Sequence, residues 1–376
     1  MVKVNRKGLA AATAGLAAGA ILLSGCSSSG GGSSTASDAG PATPAAAATD
    51  CSSGQLNAEG STAQTNAINQ WIKDYQSKCT DAKISYNPTG SGAGITGFNA
   101  GTDDFVGSDS ALDGGKGEYA AAQKRCSSAP LDLPMVVGPI AIAYKLNGVD
   151  KLVLDGPTIA KIFLGKITTW DDAAIKALNP DATLPSTPIS VVYRSDSSGT
   201  TQNFEKYLAA TAPDIFTSEP DKDSSKAGFA GQGAEKSQGV ADAIAAKEGA
   251  IGYDEFSFAV AGGLQTASID NGSGPVELSK DTAAAAAGAA ELAPQGDGDL
   301  TLKLDYATKT PGAYPIVLVT YEIACTKYSD ATKGTFVKNF LTYAAGDGQQ
   351  SLAGLGYAPL PSDLQAKVAA SVATIG

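Results

Sequence analysis

The sequence contains no histidine. Ser-His-Asp and Cys-His nucleophile systems are thereby excluded, as are zinc sites built on histidine. No Cys-x-x-Cys pair occurs among the five cysteines, which argues against a redox motif or a cysteine zinc site. There is no acidic cluster at metal spacing, so neither metal nor cofactor is expected. Basic charge is scarce as well: 27 Lys and Arg stand against 38 Asp and Glu, a formal net charge of −11. The basic footprint of a nucleic-acid binder is missing. An anion held by this chain is held against the protein's own long-range field, so local hydrogen bonds and helix ends must do the holding. There is no internal repeat. The apolar run 10–23 is too short for a comfortable membrane span.

What is present begins with that run. Lys3, Arg6 and Lys7 precede it, as in a secretory signal, and it ends in Leu23-Ser24-Gly25-Cys26. The ending resembles a bacterial lipobox, which predicts a signal peptide over 1–25 and a diacylglycerol on Cys26. Residues 26–50 are mostly Ser, Gly, Ala, Thr and Pro and read as a flexible tether. The expected location is extracytoplasmic, lipid-anchored to the cell membrane. Apart from Cys26, four cysteines remain, and an even number in an oxidising compartment suggests two disulfides. Three pairings of Cys51, Cys79, Cys126 and Cys325 are open. The favoured one is Cys51–Cys79, bracketing the first strand and helix, with Cys126–Cys325.

Beyond the tether the chain is too long for one compact core, and short apolar runs alternate with helical stretches. This predicts an α/β protein of two lobes. One amphipathic helix carries Ala67, Ile68, Trp71, Ile72 and Tyr75 on one face. The apolar runs Met135–Tyr144 and Tyr314–Tyr321 are read as crossings between lobes, giving 51–137 plus 315–376 as lobe one and 138–314 as lobe two. The Ala-rich stretch 283–290 is read as a surface helix without function.

The most informative segment is Arg194-Ser195-Asp196-Ser197-Ser198-Gly199-Thr200-Thr201. It follows the strand-like run 189–193 and precedes a helical pattern with Phe204, Tyr207 and Leu208 on one face. A helix start aims free N–H groups and the positive dipole end outward. Ser198, Gly199 and Thr200 add hydroxyls and close backbone approach, and Arg194 adds a cationic fork suited to phosphate or carboxylate. The same residues also fit an ordinary helix cap with an Arg–Asp surface pair.

With Val153–Asp172, Leu178-Asn179-Pro180 and Gly249–Tyr253, this segment makes the chain resemble the substrate-binding proteins of bacterial ABC-type phosphate transporters. The resemblance runs from about Leu56 to the C-terminus. It implies a two-lobed periplasmic-binding-protein fold with two interlobe crossings and a central anion cleft. Carried over by position, it implies phosphate contacts from Thr62, Ala63, Ser91, Asp109, Arg194, Ser198, Gly199 and Thr200. Asp109 would accept the phosphate's proton and Asp196 would orient Arg194. Thr62 and Ser91 also suit helix caps whatever the function, and Asp109 also suits a turn. The chain departs from the family at Ala63, where many relatives carry Phe, and at Ser91-Gly92-Ala93-Gly94, where two Ser commonly precede the Gly pair. The implied partners are inorganic phosphate, the permease and ATPase subunits of a phosphate ABC transporter, and the membrane through the lipid anchor. The chain is expected to be a monomer without catalysis or nucleic-acid binding. The competing readings are a secreted phosphatase-like enzyme and a binder of another oxyanion on the same scaffold.

Overall fold

The computed structural model describes residues 50–376. The lipobox, Cys26 and nearly all of the tether lie outside the described residues. The first lobe opens with β1 (Gly54–Gly60), α1 (Thr65–Lys78), β2 (Ala82–Pro88), α2 (Ser91–Ala100) and β3 (Phe105–Ser108). β1 pairs in parallel with both β2 and β3, so the starts of α1 and α2 lie at one end of the sheet. α1 buries Ala67, Ile68, Trp71, Ile72 and Tyr75, the face its 3.6-residue periodicity marks. α3 (Glu118–Cys126) then leads into β4 (Pro130–Tyr144), a strand of 15 residues with every side chain buried.

β4 joins the two halves. Residues 130–139 pair antiparallel with the return strand Val317–Cys325, and residues 140–144 pair with β8 (Ala250–Glu255). The second lobe is built on β5 (Val153–Asp155), α4 (Gly156–Phe163), α5 (Ala173–Leu178), β6 (Ser190–Arg194), α6 (Gly199–Thr211), β7 (Gln232–Ala234) and α7 (Lys236–Ala245). β6 runs parallel to both β7 and β8. One continuous sheet results, in the order β2-β1-β3-return strand-β4-β8-β6-β7.

Apolar burial divides along the same line. One core holds Trp71, Phe98, Phe105, Phe336, Phe340 and their neighbours. The other holds Phe163, Trp170, Phe204, Tyr207, Tyr253 and theirs. Residues 283–300 do not stay with the second core: Ala283 lies there, while Ala287 and Leu300 lie in the first. Hydrogen bonds from Asp132 N to Asp299 Oδ1 (3.1 Å) and from Leu300 N to Asp132 O (3.1 Å) tie the segment to β4. The Ala-rich helix spans Lys280–Gly288, and its buried Ala283 and Ala287 make it a bridge between the cores. Disulfides join Cys51 to Cys79 and Cys126 to Cys325. The second closes a loop of 199 residues in sequence, a long constraint on the unfolded chain.

Candidate functional site

Four strand ends and helix starts converge where the lobes meet. Asp109 follows β3 directly and is 3 % exposed. Its Oδ1 accepts from the Ser61 hydroxyl and from Thr320 Oγ1 (2.9 Å), and its Oδ2 accepts from Thr200 Oγ1 (3.0 Å). Thr320 reaches it from the return strand at a register shift between Thr320 and Tyr321, an irregularity of the kind that re-aims side chains at functional sites. Burial raises the Asp109 carboxyl above its ordinary range, against the pull of these three hydroxyls and of the Arg194 charge. A carboxylate has about four acceptor positions, and three are filled.

Arg194 ends β6 and is 1 % exposed. Its Nε donates to Asp196 Oδ1 (2.7 Å), and Nη2 donates to Asp196 Oδ2. The backbone N–H of Lys236 also donates to Asp196 (2.9 Å). Burial pushes the Asp196 carboxyl up, but the Arg194 hydrogen bonds and charge prevail and hold it below the usual range. The fork is thus fixed on one side, leaving Nη1, whose nearest partner is Ser237 Oγ at 3.4 Å.

The helix starts meet across the cleft. Thr62 and Ser91 do not cap their helices, whose N-caps are Gln64 and Gly90. Thr62 Oγ1 lies 3.0 Å from Ser237 Oγ and accepts from Ser237 N (3.2 Å). Ser91 Oγ accepts from Asp109 N (3.1 Å). Ser198 does cap α6, accepting from Thr201 N (3.3 Å). Gly199 lies so close to the first lobe that a Cβ would come within 2.8 Å of both Ser91 Oγ and Asp109 Cβ. Gly92 N donates to Ser197 O (3.1 Å), and Asn203 Nδ2 donates to Asp109 O (2.7 Å). At the rim, Lys116 pairs with Asp221 (3.1 Å) and Lys222 with Glu118 (2.8 Å), two ion pairs of opposite sense. These contacts describe a closed cleft. Ala63 is buried, and its N–H already donates to Ser61 Oγ (3.1 Å).

The structure therefore gathers Thr62, Ser91, Asp109, Arg194, Asp196, Ser198, Gly199 and Thr200 about one cleft. The arrangement offers a fixed cation, hydroxyls, helix N-termini and one carboxylate, which suits a compact oxyanion that still carries a proton. A model described as a PBP superfamily domain matches residues 45–347. Phosphate-binding protein PstS 3 of Mycobacterium tuberculosis is 44% identical over 379 residues, spanning all of both chains. The chain belongs to the phosphate-binding protein family.

Phosphate-binding protein PstS of Xylella fastidiosa is 32% identical, covering 93% of this chain and 94% of its own. A solved human phosphate binding apolipoprotein superposes with a TM-score of 0.67 at 25% identity, over 84% of this chain and 93% of that one. Within this family member, sequence reasoning passed over Ser61, Asn203, Ser237 and Thr320. Ser237 had one local signal, a hydroxyl just inside the helix that follows β7. There Lys236 adopts φ 65°, unusual for a side-chain-bearing residue, and its N–H and that of Ser237 donate to Asp196 and Thr62.

Buried acids surround the site. Glu322, on the return strand, is fully buried, and neither carboxyl oxygen has a hydrogen-bond partner. Burial raises its pKa to about 8, and the nearby Asp109 charge adds to it. The folded state then holds a proton that the unfolded chain releases near the ordinary Glu pKa. Between about pH 4.5 and 8 this acid lowers stability as pH rises, by about 1.4 kcal/mol per unit. Glu322→Gln removes that slope. Urea unfolding of both proteins at pH 5 and pH 8 measures it, and equal slopes would refute a proton on Glu322.

Proposed function

We propose that the chain captures inorganic phosphate outside the cytoplasm and delivers it to the permease of an ABC-type phosphate transporter. The observation that carries this reading is the buried Asp109 carboxylate beside Arg194 in an otherwise hydroxyl-lined cleft. Its relatives are named phosphate-binding proteins. In this reading Thr62, Ser91 and Ser198 donate to phosphate oxygens, Gly199 and Thr200 donate through their backbone N–H groups, Arg194 supplies Nη1, and Asp109 accepts the P–O–H. Ala63 would have to share the N–H it gives to Ser61. Residues 51–137 plus 315–376 and residues 138–314 act as the two bodies that open and close, with the segment around 287–302 riding on the first. No residue has a catalytic role, and the chain works as a monomer tethered by a lipid on Cys26 near the permease and its ATPase.

The test is equilibrium binding and fractionation. The full chain should bind one inorganic phosphate and leave a chromogenic phosphate ester intact. Cys26→Ser should move the protein from membrane to soluble fraction with phosphate affinity unchanged. Absence of phosphate binding overturns the capture role, and membrane retention of the variant overturns the lipid anchor.

A further inference from the structure

The closed cleft is not sealed on every side. A cavity of about 630 Å³ adjoins the site, sharing Asp109 and Asn203 with it. Ser110, Ala111 and Asp113 line one wall, and Gln202, Lys206 and Ala209 of α6 line another. The segment 301–306 lines a third. α6 thus serves two places: its first turn faces the phosphate site, and Lys206 stands two turns on, about 10 Å along the axis.

Among the described residues, two groups in this cavity stand out for lacking partners while wholly or partly buried, and Lys303 adds a second unpaired ammonium to its lining. The Ser110 hydroxyl is buried and makes no hydrogen bond, in a residue only 5 % exposed. Lys206 is half-buried, and it forms no ion pair among the described residues. The charged groups that act on it are Lys222, Asp113 and Lys116. Lys116 and Lys222 are taken up by Asp221 and Glu118 at the rim. Asp113 accepts from the backbone N–H of Lys116 instead (3.0 Å). Burial and the two neighbouring lysines push the Lys206 ammonium below its usual pKa, the mark of a cation short of counter-charge.

An unpaired cation and an unpaired hydroxyl lining a cavity of this size call for the same thing, an anion with oxygen acceptors. We propose that this cavity is a second anion subsite, in which Lys206 and Ser110 hold inorganic phosphate on its way to the buried site. The inference rests on the phosphate reading of that site. It gives a net-negative protein a local attraction for a negative ligand at the place where the cleft stays open. Placing the charge on α6, rather than in the buried site, lets it speed entry without gripping the final complex.

The experiment measures association and dissociation rates of inorganic phosphate with the full chain, from low to high ionic strength. Local electrostatic attraction of this kind changes on-rates by roughly ten-fold or more and fades with salt. Lys206→Gln should slow association about ten-fold at low salt, flatten its salt dependence, and leave dissociation within about two-fold. Lys206→Arg should associate like the wild type. Ser110→Ala should slow association about three-fold, the scale of one lost hydrogen bond. It gives an independent reading should Lys206→Gln fail to fold. Unchanged association in these variants overturns the subsite, as does an effect on dissociation alone. A wild type that binds no phosphate refutes the buried-site reading. A wild type that binds it, with association insensitive to Lys206 and Ser110, refutes only this inference.

Discussion

Sulfate should bind this protein roughly 10⁴- to 10⁵-fold more weakly than phosphate at neutral pH, the discrimination typical of a site built around one obligatory hydrogen bond. The reason lies in what Asp109 can still do. Ser61 and Thr320 occupy Oδ1 and Thr200 occupies one position of Oδ2, so the carboxylate has room for one more donor. Phosphate brings a P–O–H to fill it. Sulfate has no proton and would set a bare oxygen against a buried negative charge. Arsenate is protonated like phosphate and should pay only a modest penalty. The sign of the pH effect follows from the carboxyl's upward shift. As pH falls through its folded-state pKa, Asp109 gains a proton and can itself donate to sulfate, so the discrimination should shrink in acid.

Asp109→Asn should relax the restriction at neutral pH. An amide oxygen at the Oδ1 position keeps the Ser61 and Thr320 bonds, while the new NH₂ faces Thr200, whose hydroxyl can turn to accept. The affinities to compare are phosphate, arsenate and sulfate for both proteins in one buffer. Near-equal sulfate and phosphate binding by the wild type would overturn both the role of Asp109 and the phosphate reading.

The parts of this site legible in the sequence share one property: each sits at a local strand–turn–helix junction. Arg194 through Thr201 carried its own signature, because a strand, a small-residue turn and a helix face follow one another without a gap. The buried face of α1 was readable from periodicity alone. Thr320 was not, because it lies in an apolar run whose pattern says only that the strand is buried. Its role depends on a register shift that no local pattern encodes. Ser237 meets Thr62 across 175 residues of sequence, and only the closing of one lobe on the other makes them neighbours. The segment 283–300 was misplaced for the same reason. Its helix propensity is local, but its return to the first lobe is decided by hydrogen bonds between Asp132, Leu300 and Asp299. Lys206 carries no local signal, because its half-burial comes from the packing of α6.

Arg194→Ala should weaken phosphate binding by about 1.5–3 kcal/mol, the range of a lost charge-assisted hydrogen bond. That loss is measurable only if the variant stays folded, and the structure sets a second cost. Arg194 is fully buried, and its removal strips Asp196 of a bidentate partner and leaves buried Asp254 without a nearby cation. Breaking one side of a buried pair costs about 3–5 kcal/mol of stability. Binding should therefore be measured well below the unfolding midpoint of the variant, which a thermal melt provides. Arg194→Lys keeps the charge but not the fork, so it should recover part of both losses: the ammonium can face Asp196 or the anion, but cannot hold both in one plane. With the lobes closed over the anion, the loss should appear mainly as faster release. A folded Ala variant that binds phosphate as tightly as the wild type would leave Arg194 a purely internal ion pair and move the anion's cation elsewhere in the cleft.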